Sequence, residues 1–276
     1  MNVFDEMLSA YECRTVEDKL NAIREVMQQV ALCGLARSGF FDKAAFYGGT
    51  CLRIFHGLDR FSEDMDFSLL QADADFDFRP HFAAVEEEFA SMGQRVTISL
   101  KNKSRQSAIQ SAFLKGDTAQ FNLSLERGRL VNIKLEVDTL PPMAFETEHK
   151  LLLQPRSFYA RCFTLPCLFA GKMHALMYRA WKNRVKGRDW YDFEWYVRKG
   201  VQLDFAHFCE RAYEFGSEPR GSLTPDSFLC MLQRKIESVN FSAAVEDVRP
   251  FMRNPEHADF WSTDYFLQVA RLMKLQ

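Results

Sequence analysis

The chain has almost no net charge: 35 lysines and arginines stand against 37 aspartates and glutamates in 276 residues, a formal balance of −2. No global field gathers nucleic acid, so any polyanion must be met by a local patch. Its seven cysteines (Cys13, Cys33, Cys51, Cys162, Cys167, Cys209 and Cys230) contain no CxxC spacing and are odd in number. That argues against a zinc knuckle or disulfide frame and fits reduced thiols. No run of about 18 apolar residues exists to span a membrane. The first residues, MNVFDEMLSAYECRTVEDKL, lack the basic and apolar regions of a signal peptide. A soluble, cytoplasmic protein without a membrane partner is therefore expected. His56, His81, His149, His174, His207 and His257 form no metal-ligand spacing, and no Ser/His/Asp arrangement can be argued. Repeats and low-complexity tracts are missing, and GSEPRGSLTP (216–225) is the only linker-like stretch.

What is present is ordinary globular material, 47% hydrophobic and 26% charged, with 26 phenylalanines. So many Phe point to aromatic packing, and single aromatics are not read as base-stacking platforms. Thr15 and Asp18 form an N-cap ahead of Leu20, Ile23, Val26, Val30 and Leu35, which predicts a helix over 16–39. AAFY (44–47) reads as a buried strand, Gly48 and Gly49 as a tight turn, and Thr50 to His56 as a short helix. Alternation predicts a strand over 62–69, and a helix follows from Pro80 to Met92. RVTISL, AQFNLSLE and RLVNIKLEVDTL (129–140) read as strands. Beyond about residue 164 the period becomes helical in LPCLFAGKMHALMYRAW, RDWYDFEWYVRK, DFAHFCERAYEF, PDSFLCMLQRKIES and WSTDYFLQVARLMKL. The expectation is an α+β fold: a mixed sheet with flanking helices over 1–160, and a helical bundle over 161–276 that contributes Lys172 and Asp189 to a shared site.

The chemistry concentrates in FYGGTCLRIFHGLDRFSEDMDFSL (46–69). Alternation sets Ser62, Asp64, Asp66 and Ser68 on one strand face, with the two carboxylates roughly 6.6–7 Å apart. At that spacing they can converge on one or two divalent cations, which would remove their repulsion, and hard oxygen donors favour Mg²⁺ or Mn²⁺. Gly48, Gly49 and Thr50 lead into a helix, where unpaired amides and the positive dipole end suit a phosphate. Each piece alone is more often bland: an Asp-x-Asp as a solvated face, a Gly-Gly as a turn. In VNIKLEVD, Lys134, Glu136 and Asp138 share a face, so either Glu136 or Asp138 can supply a third carboxylate. The alternative is a half-exposed strand with an ion-pair ladder. Lys172 and Arg179 lie two helical turns apart, and RAWKNRVKGR (179–188) holds five cations and no acid, with Asp189 and Asp192 just beyond. A basic grip on triphosphate or RNA competes with a solvated loop closed by helix-start acids.

In this order, GGTCLRIFHGLDRFSEDMDFSL, IKLEVD and AGKMHALMYRAWKNRVKGRDWYDF resemble the AbiEii/AbiGii toxin family of nucleotidyltransferases, which includes MenT-like toxins, within the DNA polymerase beta-like superfamily. The resemblance runs from about residue 43 to 198. It implies that Gly49 and Thr50 hold the triphosphate, Asp64 and Asp66 the metal, and Lys172 the nucleotide phosphates, while Asp189 takes the acidic catalytic position. Gly48, Arg60, Ser62 and Arg179 are counted beside them as nucleotide contacts, and Glu136 as catalytic and a third metal ligand, a place Asp138 can also fill. The implied activity is Mg²⁺- or Mn²⁺-dependent transfer of NMP from an NTP to an acceptor, RNA such as the 3′ end of tRNA. The implied setting is the toxin of a bacterial toxin–antitoxin or abortive-infection pair with a cognate antitoxin protein. Two other readings remain open: metal-dependent phosphodiester hydrolysis, and an NTP-binding regulatory protein without turnover.

Overall fold

A computed structural model describes residues 2–100, 109–117, 130–179 and 185–276. The fold is α+β and divides into two compact units. The first comprises residues up to Gly57, then Phe61–Met143 and Thr147–Cys162; the second comprises Leu58–Arg60, Ala144–Glu146 and Phe163–Gln276.

In the first unit, helices α1 (Val3–Ser9) and α2 (Val16–Arg37) precede strand β1 (Ala44–Tyr47), helix α3 (Gly48–His56) and strand β2 (Met65–Leu69). Helix α4 (Phe82–Ser91) and strands β3 (Val96–Leu100), β4 (Ile109–Asp117), β5 (Leu130–Asp138), β6 (Thr147–Leu152) and β7 (Phe158–Phe163) follow. The strands form one sheet in the order β3-β4-β5-β2-β1-β7-β6. Strand β2 runs antiparallel to β1 and parallel to β5, so the strands that carry Asp66 and Glu136 are neighbours at mid-sheet. Met65, Phe67 and Leu69 of β2 and Ile133, Leu135 and Val137 of β5 are buried. The intervening Asp66, Lys134 and Glu136 are only half-buried, which is the two-sided pattern the alternation requires.

Helix α2 packs on α4 and on β5. Its Thr15/Asp18 capping box is formed, and its buried stripe runs from Leu20 to Leu35. At Gly34 an added Cβ would lie 2.6 Å from Val85 Cα, so only glycine lets the α4 backbone come so near. Many of the phenylalanines are core: Phe40 and Phe46 are buried, and each lies 5.0 Å from Phe67, centroid to centroid.

Several expectations shift. Helix α3 starts at Gly48, not Thr50, because the chain turns from β1 directly into the helix. Strand β2 begins only at Met65, so Ser62 and Asp64 lie ahead of it in a loop. Strands β4, β6 and β7 are not among the strands the sequence predicted. The strand expected in AQFNLSLE (119–126) lies outside the described residues.

The second unit holds α5 (Leu165–Tyr178), α6 (Gly187–Arg198), β8 (Gln202–Leu203), α7 (Phe205–Glu214), α8 (Pro225–Glu237), α9 (Phe241–Val248), α10 (Thr263–Arg271) and β9 (Lys274–Leu275). Strands β8 and β9 form a small parallel pair. Helix α5 packs on α6 and α7, and α6 packs on α9 and α10. Aromatics fill these contacts: Phe169 stacks on Tyr196 at 4.3 Å, and Phe241 on Phe266 at 4.7 Å. Helix α9 is absent from the sequence reading. All seven cysteines are free. Among the described residues no helix is long and apolar enough to cross a membrane.

Candidate active site

The corner between β1 and α3 brings the glycines to an aspartate. Gly48 adopts φ +81°, a left-handed conformation that suits glycine. A Cβ added there would fall 3.2 Å from Asp66 Cγ and closer still to Oδ2. Asp66 faces this corner because it pairs with Tyr47 across the antiparallel β1–β2 ladder. The N-cap residue Tyr47 supplies no side-chain cap to α3, and Gly48 and Gly49 are half-exposed. The first-turn amides of a helix that is not self-capped therefore stand beside a carboxylate, an arrangement the helix dipole favours.

Thr50 is placed differently from the expectation. Its side chain is buried, and its hydroxyl donates to the Asp64 backbone carbonyl. That donor fixes the loop instead of facing a phosphate. Gln28 of α2, also buried, donates through Nε2 to the carbonyls of Ser62 and Glu63, at 3.0 Å each. Three consecutive carbonyls, 62 to 64, are thus pinned by side chains from two helices. Asp64 itself is exposed, and Ser62 is half-buried. Gln28 was missed; its one signal was an amide between the apolar positions Val26, Met27 and Val30 of the helix.

The parallel β2–β5 register sets Asp66 opposite Glu136 and Ser68 opposite Asp138. Adjacent strands lie about 4.8 Å apart, so Asp66 and Glu136 are lateral neighbours on the polar face. Glu136 forms an ion pair with Lys134. Asp138 is buried and accepts the Leu140 amide at 3.1 Å. Of the two alternatives for a third carboxylate, register places Glu136 beside Asp66.

The helical unit holds a buried charge cluster. Arg60 donates Nε to Asp192 Oδ1 at 2.7 Å and Nη2 to Oδ2 at 2.6 Å. Lys172 Nζ lies 2.8 Å from Asp192 Oδ2 and 2.8 Å from Asp189 Oδ1. Burial works against the Lys172 ammonium, but Asp189 and Asp192 outweigh it and hold its pKa above the ordinary lysine value. Burial likewise opposes the Asp192 carboxylate, and Arg60 and Lys172 reverse the effect, holding it below the usual range.

Two residues expected at the nucleotide are engaged otherwise. Arg60 was expected to contact nucleotide; its guanidinium is buried and bidentate on Asp192. Asp192 was noted only as a neighbour of Asp189, and its signal was an acid inside an aromatic helix stripe. Arg179 was expected to share a face with Lys172, but α5 ends at Tyr178 and Arg179 is extended, with ψ 118°. Residues 180–184 of the basic run lie outside the described residues.

Among the described residues no group of three or more His, Cys, Asp or Glu side chains forms a metal cage. Magnesium does not require one: it is commonly held by one or two carboxylates together with substrate phosphates. Asp66 beside the α3 amides fits that mode in donor chemistry, since a cation held between the carboxylate and a polyphosphate on those amides would offset the charge of both. Asp64 lies two residues away in the chain, in the loop ahead of β2.

A family model described as "Nucleotidyl transferase AbiEii toxin, Type IV TA system" matches residues 30–269. No curated protein sequence matches the chain. The solved structure of JHP933 from Helicobacter pylori is similar at TM-score 0.52 and 15% identity, covering 91% of this chain and 90% of that one. A second H. pylori structure, titled as a nucleotidyltransferase, has TM-score 0.46 at 15% identity, covering 90% of this chain and 92% of its own. At such identity the first likeness speaks for the fold alone, and the second is too weak to carry an argument.

Proposed function

Because this chain belongs to the AbiEii nucleotidyl transferase toxin family of type IV toxin–antitoxin systems, we propose that it moves a nucleoside monophosphate from an NTP to a hydroxyl of RNA, releasing pyrophosphate. The 3′ end of tRNA is the acceptor this reading favours. The observation that carries it is the close approach of Asp66 to Gly48, which sets a carboxylate beside the N-terminus of α3. Transfer of a phosphoryl-centred group depends mainly on positioning and charge neutralisation, and the corner supplies both.

In this reading the Gly48, Gly49 and Thr50 amides bind the polyphosphate, and the Thr50 and Gln28 hydrogen bonds keep the Asp64 loop still. Asp64 and Asp66 hold Mg²⁺ or Mn²⁺, which when bound neutralises phosphate charge and lowers the pKa of a coordinated hydroxyl. Glu136, beside Asp66 on the polar face, is placed to assist as ligand or base and carries Lys134 as its counter-ion. Lys172 of the helical unit serves the nucleotide phosphates as a point charge.

Incubation with each labelled NTP and total tRNA tests the proposal. Label entering RNA supports transfer; shortened RNA without label supports hydrolysis; retained, unchanged NTP supports binding alone. Asp64→Ala and Asp66→Ala are each expected to fold and to lose at least about 100-fold in transfer. Wild-type incorporation by either variant removes the assignment.

A further inference from the structure

The four charges of the helical unit alternate along a line, Arg60, Asp192, Lys172, Asp189, joined by contacts of 2.6–2.8 Å. The line has a buried end and a more open end. Side-chain exposure is 2% at Arg60 and 0% at Asp192, against 14% at Lys172 and 8% at Asp189. A ligand approaching this cluster reaches Lys172 first. Both guanidinium donors directed at Asp192 are already engaged, so Arg60 is poorly placed to bind phosphate.

We propose that Arg60 is a positioning residue for nucleotidyl transfer: its bidentate grip fixes the Asp192 carboxylate, which with Asp189 sets the place and direction of the Lys172 ammonium. The inference rests on the reading that Lys172 serves the transfer. Lysine has a flexible four-carbon stem and three rotatable donors, so its ammonium has no intrinsic direction. Two carboxylates 2.8 Å away supply one, and a carboxylate held by two parallel N–H bonds cannot swing with the lysine. Asp192 sits at the junction, because its Oδ2 accepts from Arg60 and contacts Lys172.

Arg60 also lies only four residues before Asp64 in the chain. Residues Leu58–Arg60 group with the helical unit, while Gly57 and Phe61 on either side group with the sheet unit. A surface loop has no reason to bury a guanidinium here; a loop that must be held does.

The test compares three proteins in the tRNA labelling assay. Arg60→Lys keeps the charge and removes the fork, so a geometric clamp predicts a fall in kcat of about 10-fold or more with a smaller change in KM for NTP. Arg60→Met with Asp192→Leu removes both deeply buried charges together, which spares the fold the cost of one unpaired ion. That double variant is expected to retain the far-UV spectrum while losing transfer by a similar factor. Lys172→Ala is expected to lose transfer as well. If Lys172→Ala is inactive while Arg60→Lys and the double variant both turn over at wild-type kcat, the positioning role is overturned and Lys172 stands alone. If Lys172→Ala keeps full activity, the reading beneath the inference fails and the inference falls with it. Should the double variant not fold, Arg60→Lys decides: wild-type kcat overturns the clamp, and a kcat loss in a folded protein upholds it.

Discussion

Gly48 answers to two constraints, the positive φ of the β1–α3 corner and the Asp66 carboxylate that occupies the place a Cβ would take. Gly48→Ala is expected to cost about 1–2 kcal/mol from the left-handed backbone alone. Displacement of Asp66 should also cut transfer by about 10-fold or more. Urea midpoints and label incorporation on the same preparation check this, and an alanine variant as stable as wild type contradicts it. His174 and His207 show residue-scale physics of another kind. Burial, aided by Arg211, pushes His174 down to about 3 and His207 to about 4, from an ordinary value of 6.5. Both stay neutral in the fold where the unfolded chain takes up protons. Stability is therefore full above pH 6.5 and is lost as pH falls from 6.5 toward 4, by up to about 1.4 kcal/mol per pH unit for each histidine. Urea midpoints between pH 7 and pH 4 should trace that decline, and the His174→Gln, His207→Gln double variant should flatten it.

Among the elements, α2 stabilises more than the core. Its apolar stripe packs on α4 and β5, while Gln28 reaches from the same helix to hold the Ser62 and Glu63 carbonyls. Gln28→Leu keeps the burial and removes both donors, at a cost of about 1–3 kcal/mol for the carbonyls left without them. Amide exchange over residues 62–66 should speed by about 10-fold or more, and transfer should fall with it. Unchanged exchange would mean that Thr50 alone holds the loop. The β2–β5 pairing is the second element-scale decision, since parallel register, not sequence proximity, makes Asp66 and Glu136 neighbours.

At the scale of the whole molecule the charges nearly cancel, so a polyanion must be met by a local arrangement of charge. The described residues contain no protein-built metal cage. Chelation with EDTA should therefore abolish transfer by the intact protein without moving its melting temperature by more than about 2 °C, and Mg²⁺ or Mn²⁺ should restore it. Transfer that survives chelation, or a melting temperature that collapses, argues against a substrate-assisted metal site.

The sequence alone determined what depends on local pattern. Alternation at Lys134, Glu136 and Asp138 gave their common face, the Thr15/Asp18 cap gave the start of α2, and the ordered GGT, Asp-x-Asp and Arg-Asp motifs gave the family. Tertiary structure decided what depends on partners distant in the chain. Thr50 and Arg60 carry donors that suit phosphate equally well on paper, but Asp64's carbonyl and Asp192's carboxylate take them first. Arg179 lost its place beside Lys172 because α5 stops one residue earlier. A side chain's chemistry is written in its identity; which group satisfies it is settled only when burial removes water as the competing partner.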